Sequence, residues 1–100
     1  MTLNPHLLDS RAQDITRRKV FICKLDPAST SQSLHMAFRP FGEIIEAAVI
    51  YDKNTKNSKG YGFVTFVHAA SAEASLRDPF KNIDGKVTEV HGIFARQVWA

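Results

Sequence analysis

The chain has one cysteine, Cys23, which excludes an internal disulfide framework and fits a reducing, intracellular compartment, nuclear or cytoplasmic. It has no apolar run near the ~20 residues of a membrane-spanning helix. The basic-then-apolar order of a secretory signal is missing from its first residues. Its histidines, His6, His35, His68 and His91, are scattered relative to one another and to Cys23. That spacing assembles neither a zinc site nor a base beside a nucleophile. No glycine-rich loop followed by Lys-Ser/Thr is present to cradle a phosphate. Internal repeats and low-complexity segments are absent as well. The reading is of a non-enzymatic chain, with no catalytic residue, no metal ligand and no cofactor.

What the chain does have is enough for one modest core. Its 100 residues are a usual single-domain length, and 44% hydrophobic with 23% charged residues is ordinary for a globular protein rather than a disordered one. The formal charge of +3 permits an acidic partner without requiring one, because placement counts for more than the sum.

One stretch organises the rest: Lys59-Gly60-Tyr61-Gly62-Phe63-Val64-Thr65-Phe66. As a strand it alternates, with Tyr61, Phe63 and Thr65 on one side and Gly62, Val64 and Phe66 on the other. Val64 and Phe66 suit a core. The opposite side mixes two rings, a threonine and a leading lysine, a combination that suits neither burial alone nor water alone. Flat rings beside a cation suit stacked bases and a phosphate backbone.

The flanking segments supply a frame. Residues 1–17 show little periodicity and are expected to be a flexible extension, though Ser10 to Ile15 can also form one capped helical turn. Arg17-Arg18-Lys19 is either a solvated cationic patch or a phosphate contact. Val20 to Leu25 reads as a first strand, with Val20 and Ile22 inward, stopped by Asp26-Pro27. Thr30 is placed to cap a helix whose inner stripe is Leu34, Ala37, Phe38 and Phe41. Ile44 to Asp52 is a second strand, with Ala47, Val49 and Tyr51 on one face and Glu46, Ala48 and Ile50 on the other. The loop Asp52 to Lys59 carries lysines and no apolar residue; it is a solvated hairpin or a cover for a bound strand. A second helix runs from His68 to Leu76, with Ala69, Ala72 and Leu76 inward, and ends at Asp78-Pro79. Ile83-Asp84-Gly85-Lys86 is a turn signal, and Val87 to His91 a fourth strand. The order is β-α-β-β-α-β, an α+β ferredoxin-like sandwich.

Lys59 to Phe66 matches the RNP octamer of the RNA recognition motif at every defined position, and Val20 to Leu25 resembles its hexamer. The resemblance covers about residues 18 to 96. Arg18 to Ile22, Asp52 to Phe66 and Ile83 to Val87 look most like the heterogeneous nuclear ribonucleoprotein A/B type. It implies a domain over residues 18–95, with 96–100 as a tail, and a four-stranded antiparallel sheet backed by two helices. It further implies that the chain binds single-stranded RNA, with single-stranded DNA as a partner in vitro, in mRNA processing, stability or transport. Phe21 and Phe63 would lie under two bases, and Tyr61 against a sugar or a third base. Lys19 would lie near a base or phosphate and Lys59 would meet phosphate, while Glu89, His91 and Arg96 would touch base edges. Ile50 and Lys53 complete the set. His91 also fits a merely exposed histidine. A second class stays open: a protein-binding module, using the helices or the apolar tail of Ile93, Phe94, Val98 and Trp99, with that tail covering the sheet.

Overall fold

The computed structural model describes residues 16–92, of which 16–18 are helical and lead straight into the first strand. The elements are β1 (Lys19–Cys23), α1 (Ser31–Phe38) extended by a 3-10 turn (Arg39–Phe41), β2 (Ile44–Tyr51), β3 (Ser58–Phe66), α2 (Ala69–Arg77), β4 (Phe80–Ile83) and β5 (Lys86–Gly92). The sheet runs β2-β3-β1-β5-β4, with every neighbouring pair antiparallel. This is the expected α+β arrangement with one strand more than the sequence suggested. The addition is β4, at the sheet's edge beside β5.

Alternation in the central strands builds the core. Val20 and Ile22 of β1 and Val64 and Phe66 of β3 are fully buried, joined by Val49 and Val90 from the neighbouring strands. Leu34, Phe38 and Ala72 close the layer from the helices. The Phe38 ring centroid lies 6.1 Å from that of Phe41 and 6.4 Å from that of Phe66, both tilted as aromatic pairs prefer. Both helices therefore sit on one face of the sheet and leave the other open.

Local chemistry sets the helix ends. Thr30 Oγ1 accepts from the Ser33 N–H at 3.3 Å, and Ser33 Oγ accepts from the Thr30 N–H at 3.0 Å, a reciprocal capping box. In α2 the buried residues are Ser71, Ala72 and Ser75, with Leu76 packed at their margin; of the expected stripe of Ala69, Ala72 and Leu76, Ala69 is only half-buried. The buried Ser75 hydroxyl is satisfied by donating to the Ala72 carbonyl at 2.7 Å.

The edge hairpin follows from Asp84-Gly85. Their φ values are 54° and 82°, both in the left-handed region that a two-residue hairpin turn of the primed type demands. The Gly85 N–H donates to Asn82 Oδ1 at 3.1 Å, and Ser29 Oγ donates to Asp84 Oδ2 at 2.7 Å, tying the turn to the loop before α1. Within β4 the even and odd positions part. Lys81 reaches toward the helices, where its ammonium donates to the carbonyls of Ser75 (2.9 Å) and Asp78 and lies 5.0 Å from the Phe41 ring centroid. Ile83 is in the core. Phe80 and Asn82 are thereby turned to the open face.

Candidate nucleic-acid interface

Register assembles the open face in rows, because residues directly opposite in antiparallel strands share a side. One row crosses β2, β3, β1 and β5 through Ala48, Phe63, Phe21 and His91. A second crosses β3, β1, β5 and β4 through Tyr61, Cys23, Glu89 and Phe80. A third holds Glu46, Thr65 and Lys19. Phe21 and Phe63 are thus neighbours on the two central strands, both half-buried. Tyr61 retains 39% of its surface, while Val64 and Phe66 on the opposite side retain none.

Two charged arrangements decorate the rings. The Lys19 ammonium sits 4.5 Å from the Phe63 ring centroid, a cation–π contact. Glu89 is gripped from two sides: Lys24 Nζ donates to Oε2 at 2.5 Å, and His91 Nε2 lies 3.2 Å from Oε1. Hydrogen bonding from Lys24, then from His91, holds the Glu89 carboxyl below the usual carboxylate range; the same bond raises Lys24 above the usual lysine value. Glu89 is therefore an ionised acceptor at neutral pH. Lys24 reaches it from a backbone in the left-handed region, φ 64°, at the end of β1.

The remaining expected residues fall around these rows. Ile50 is half-buried near the end of β2, where the pairing with β3 shifts register between Val49 and Tyr51. Lys53 is exposed in the β2–β3 loop and Lys59 is exposed on β3. That loop is ordered by Asp52, whose Oδ1 accepts from the N–H groups of Asn54 (2.7 Å) and Thr55 (3.0 Å). Hydrogen bonds from Thr55 and Asn54 keep the Asp52 carboxyl below its usual range. Arg96 and the apolar tail lie outside the described residues. Thr65 differs from expectation: it lies on the open side yet is only 7% exposed, and its hydroxyl has no hydrogen-bond partner among the described residues. Phe80, 57% exposed, joins the open face from a strand that the sequence pattern between Pro79 and Ile83 did not indicate.

The model of the RNA recognition motif family matches residues 20–89. This chain belongs to the RNA recognition motif family. Among curated proteins it is 49% identical over 75 residues to UBP1-associated protein 2C of Arabidopsis thaliana, covering 75% of this chain and 19% of that protein. It is 44% identical over 79 residues to human RNA-binding protein 24, covering 79% and 34%. To human RNA-binding protein 38 it is 40% identical over 87 residues, covering 87% and 36%. The chain thus spans about a fifth to about a third of the length of these relatives. Among solved structures, the RNA binding domain of Hrp1 in complex with RNA aligns with a TM-score of 0.70 at 26% identity, covering 77% of this chain and 46% of that one.

Proposed function

We propose that this RNA recognition motif binds single-stranded RNA across the open face of its sheet, with Phe21 and Phe63 as the two stacking platforms. The observation that carries the reading is the register: the two rings lie directly opposite one another on adjacent strands, outside the core, within the family's own octamer and hexamer. Relatives named as RNA-binding proteins support it. So does the fold shared with a domain solved on RNA.

The energetics fix what must move. A lysine over an exposed ring is worth about 0.5–1 kcal/mol. A stacked base is worth about 1–3 kcal/mol by alanine substitution. The base wins, so Lys19 leaves Phe63 when RNA binds and is then free to meet a phosphate beside it. Lys59 and Lys53, both exposed, add to that backbone contact, and Tyr61 packs on ribose or a third base. Glu89, His91 and Arg96 read base edges; Ile50 borders the path on β2. Two stacks with a few phosphate contacts correspond to micromolar binding for a single module. The RNA-binding unit reads as residues 18–95. Its place is intracellular, in the processing, stability or transport of mRNA. The finer likeness to the heterogeneous nuclear ribonucleoprotein A/B type rests on the sequence segments around β1, β3 and β5.

Amide-shift titration with a randomised pool of short RNA tests the reading. Shifts are expected on β1, β3 and β5, and Phe63→Ala is expected to weaken binding by about 1–3 kcal/mol with the fold retained. Shifts confined to α1 and α2, or an unchanged affinity in Phe63→Ala, count against it.

A further inference from the structure

The row that ends on the unexpected strand has a composition of its own. Phe80 is opposite Glu89 in the β4–β5 ladder, so about 5 Å separates their Cβ atoms on the open face. The ring is turned outward because the alternate positions Lys81 and Ile83, which share the inner face, are anchored to the helices and the core. With 57% of its surface in water, it is a large apolar group that the fold itself does not use. Glu89, next to it, is fixed by Lys24 and His91 and offers only acceptors.

We infer that β4 and β5 form an additional base subsite selective for guanine, in which Phe80 stacks the base and Glu89 takes its Watson–Crick edge. The inference rests on the sheet binding RNA, and the row is continuous with that surface through Cys23 and Tyr61. The chemistry chooses the base. An ionised carboxylate has about four lone-pair positions, of which Lys24 and His91 take two. Two oxygens side by side match two donors side by side, the geometry that makes carboxylate pairs bidentate. Guanine presents such a pair, N1–H with the N2 amino group. Adenine and cytosine present one amino group beside an acceptor. Uracil presents one N–H between two carbonyl oxygens, which the carboxylate repels. Lys24 offsets the carboxylate's charge, so the approaching phosphate backbone is not turned away.

The test is equilibrium titration of the whole chain by fluorescence anisotropy, using a uridine hexamer and its single-position guanine, adenine and cytosine variants. Wild type is expected to prefer guanine to uracil at one position by about tenfold, in the range of one good bidentate contact. Phe80→Ala is expected to weaken the guanine-bearing hexamer by about fivefold or more. Glu89→Gln, which replaces one acceptor oxygen with an amino group, is expected to bring the guanine-to-uracil ratio close to one. Wild type without a guanine preference, Phe80→Ala with wild-type affinity, or Glu89→Gln with the preference intact each overturns the subsite. Phe63→Ala measured in parallel separates the two levels. If it weakens binding while Phe80→Ala does not, the subsite fails and the sheet surface stands; if neither does, both fail. Thermal melts of each variant verify that the substitutions leave the fold in place.

Discussion

Gly62 sits where β3 passes beneath α1. A Cβ built there would lie 2.4 Å from the Ala48 carbonyl oxygen and 3.0 Å from Leu34 Cδ1. The carbonyl belongs to the β2 backbone paired with β3 and cannot swing aside, so even one methyl forces the two strands or α1 apart. Gly62→Ala is accordingly expected to destabilise the domain by about 1–3 kcal/mol, the usual range for overpacking a filled core. Chemical denaturation measures this; a wild-type midpoint would mean that the strands tolerate the extra atom. The identity of this residue was legible in the sequence through the octamer, and so was the face of every neighbour, because alternation fixes direction. What lies over a side chain was not. Thr65 points to the open side as its parity requires, yet it is buried, and Lys19 rests on Phe63 rather than in solvent. Both depend on contacts between strands that a single strand's pattern does not carry.

At the scale of elements, the ends of α1 were written plainly in the chain. Thr30 three residues before Ser33 makes the reciprocal cap, and Arg39-Pro40 tightens the last turn into a 3-10 extension. Thr30→Ala removes the acceptor for the Ser33 N–H and is expected to cost about 1 kcal/mol. For a domain of this size that lowers the melting temperature by about 4–8 °C. Thr30→Ser, which restores an oxygen, is expected to recover most of the loss; equal melting of all three proteins would remove the cap from the account. The edge strand β4 was not legible in the sequence. Phe80-Lys81-Asn82-Ile83 is four residues long, follows Asp78-Pro79, and includes only two good strand formers. The usable signal stood just beyond it. Asp84-Gly85 favours the tight primed turn, which has a strand on each side. As the centre of a hairpin rather than simply a turn, the dipeptide points to β4. With it come Phe80 and the composition of the sheet's far edge.

Across the whole molecule, carboxylates join parts that are distant in the chain. Asp84, in the β4–β5 turn, accepts from Ser29 in the loop before α1, and hydrogen bonds from Ser29 and then Ser33 hold its carboxyl below the usual range. Glu89 links β5 to the end of β1 through Lys24, and Asp52 closes the β2–β3 loop. A carboxyl whose pKa is lowered by folding stabilises the native state above the unfolded chain's value, and that stabilisation is lost as pH falls through the folded value. Lys24, raised by Glu89, contributes below the ordinary lysine value and loses its contribution as pH rises through the folded one. These groups are therefore expected to make stability fall as pH is lowered from about 5 toward 3, and fall again in strong alkali. Asp84→Asn is the discriminating variant. Asparagine tolerates the left-handed backbone at this turn and can still accept from Ser29, but it has no charge to lose. Its melting temperature is expected to decline less steeply than that of wild type between neutral and acid pH. Parallel declines would place the acid sensitivity elsewhere, in Glu89 or Asp52. Glu89→Gln and Asp52→Asn, measured the same way, then show which of the remaining links gives way first.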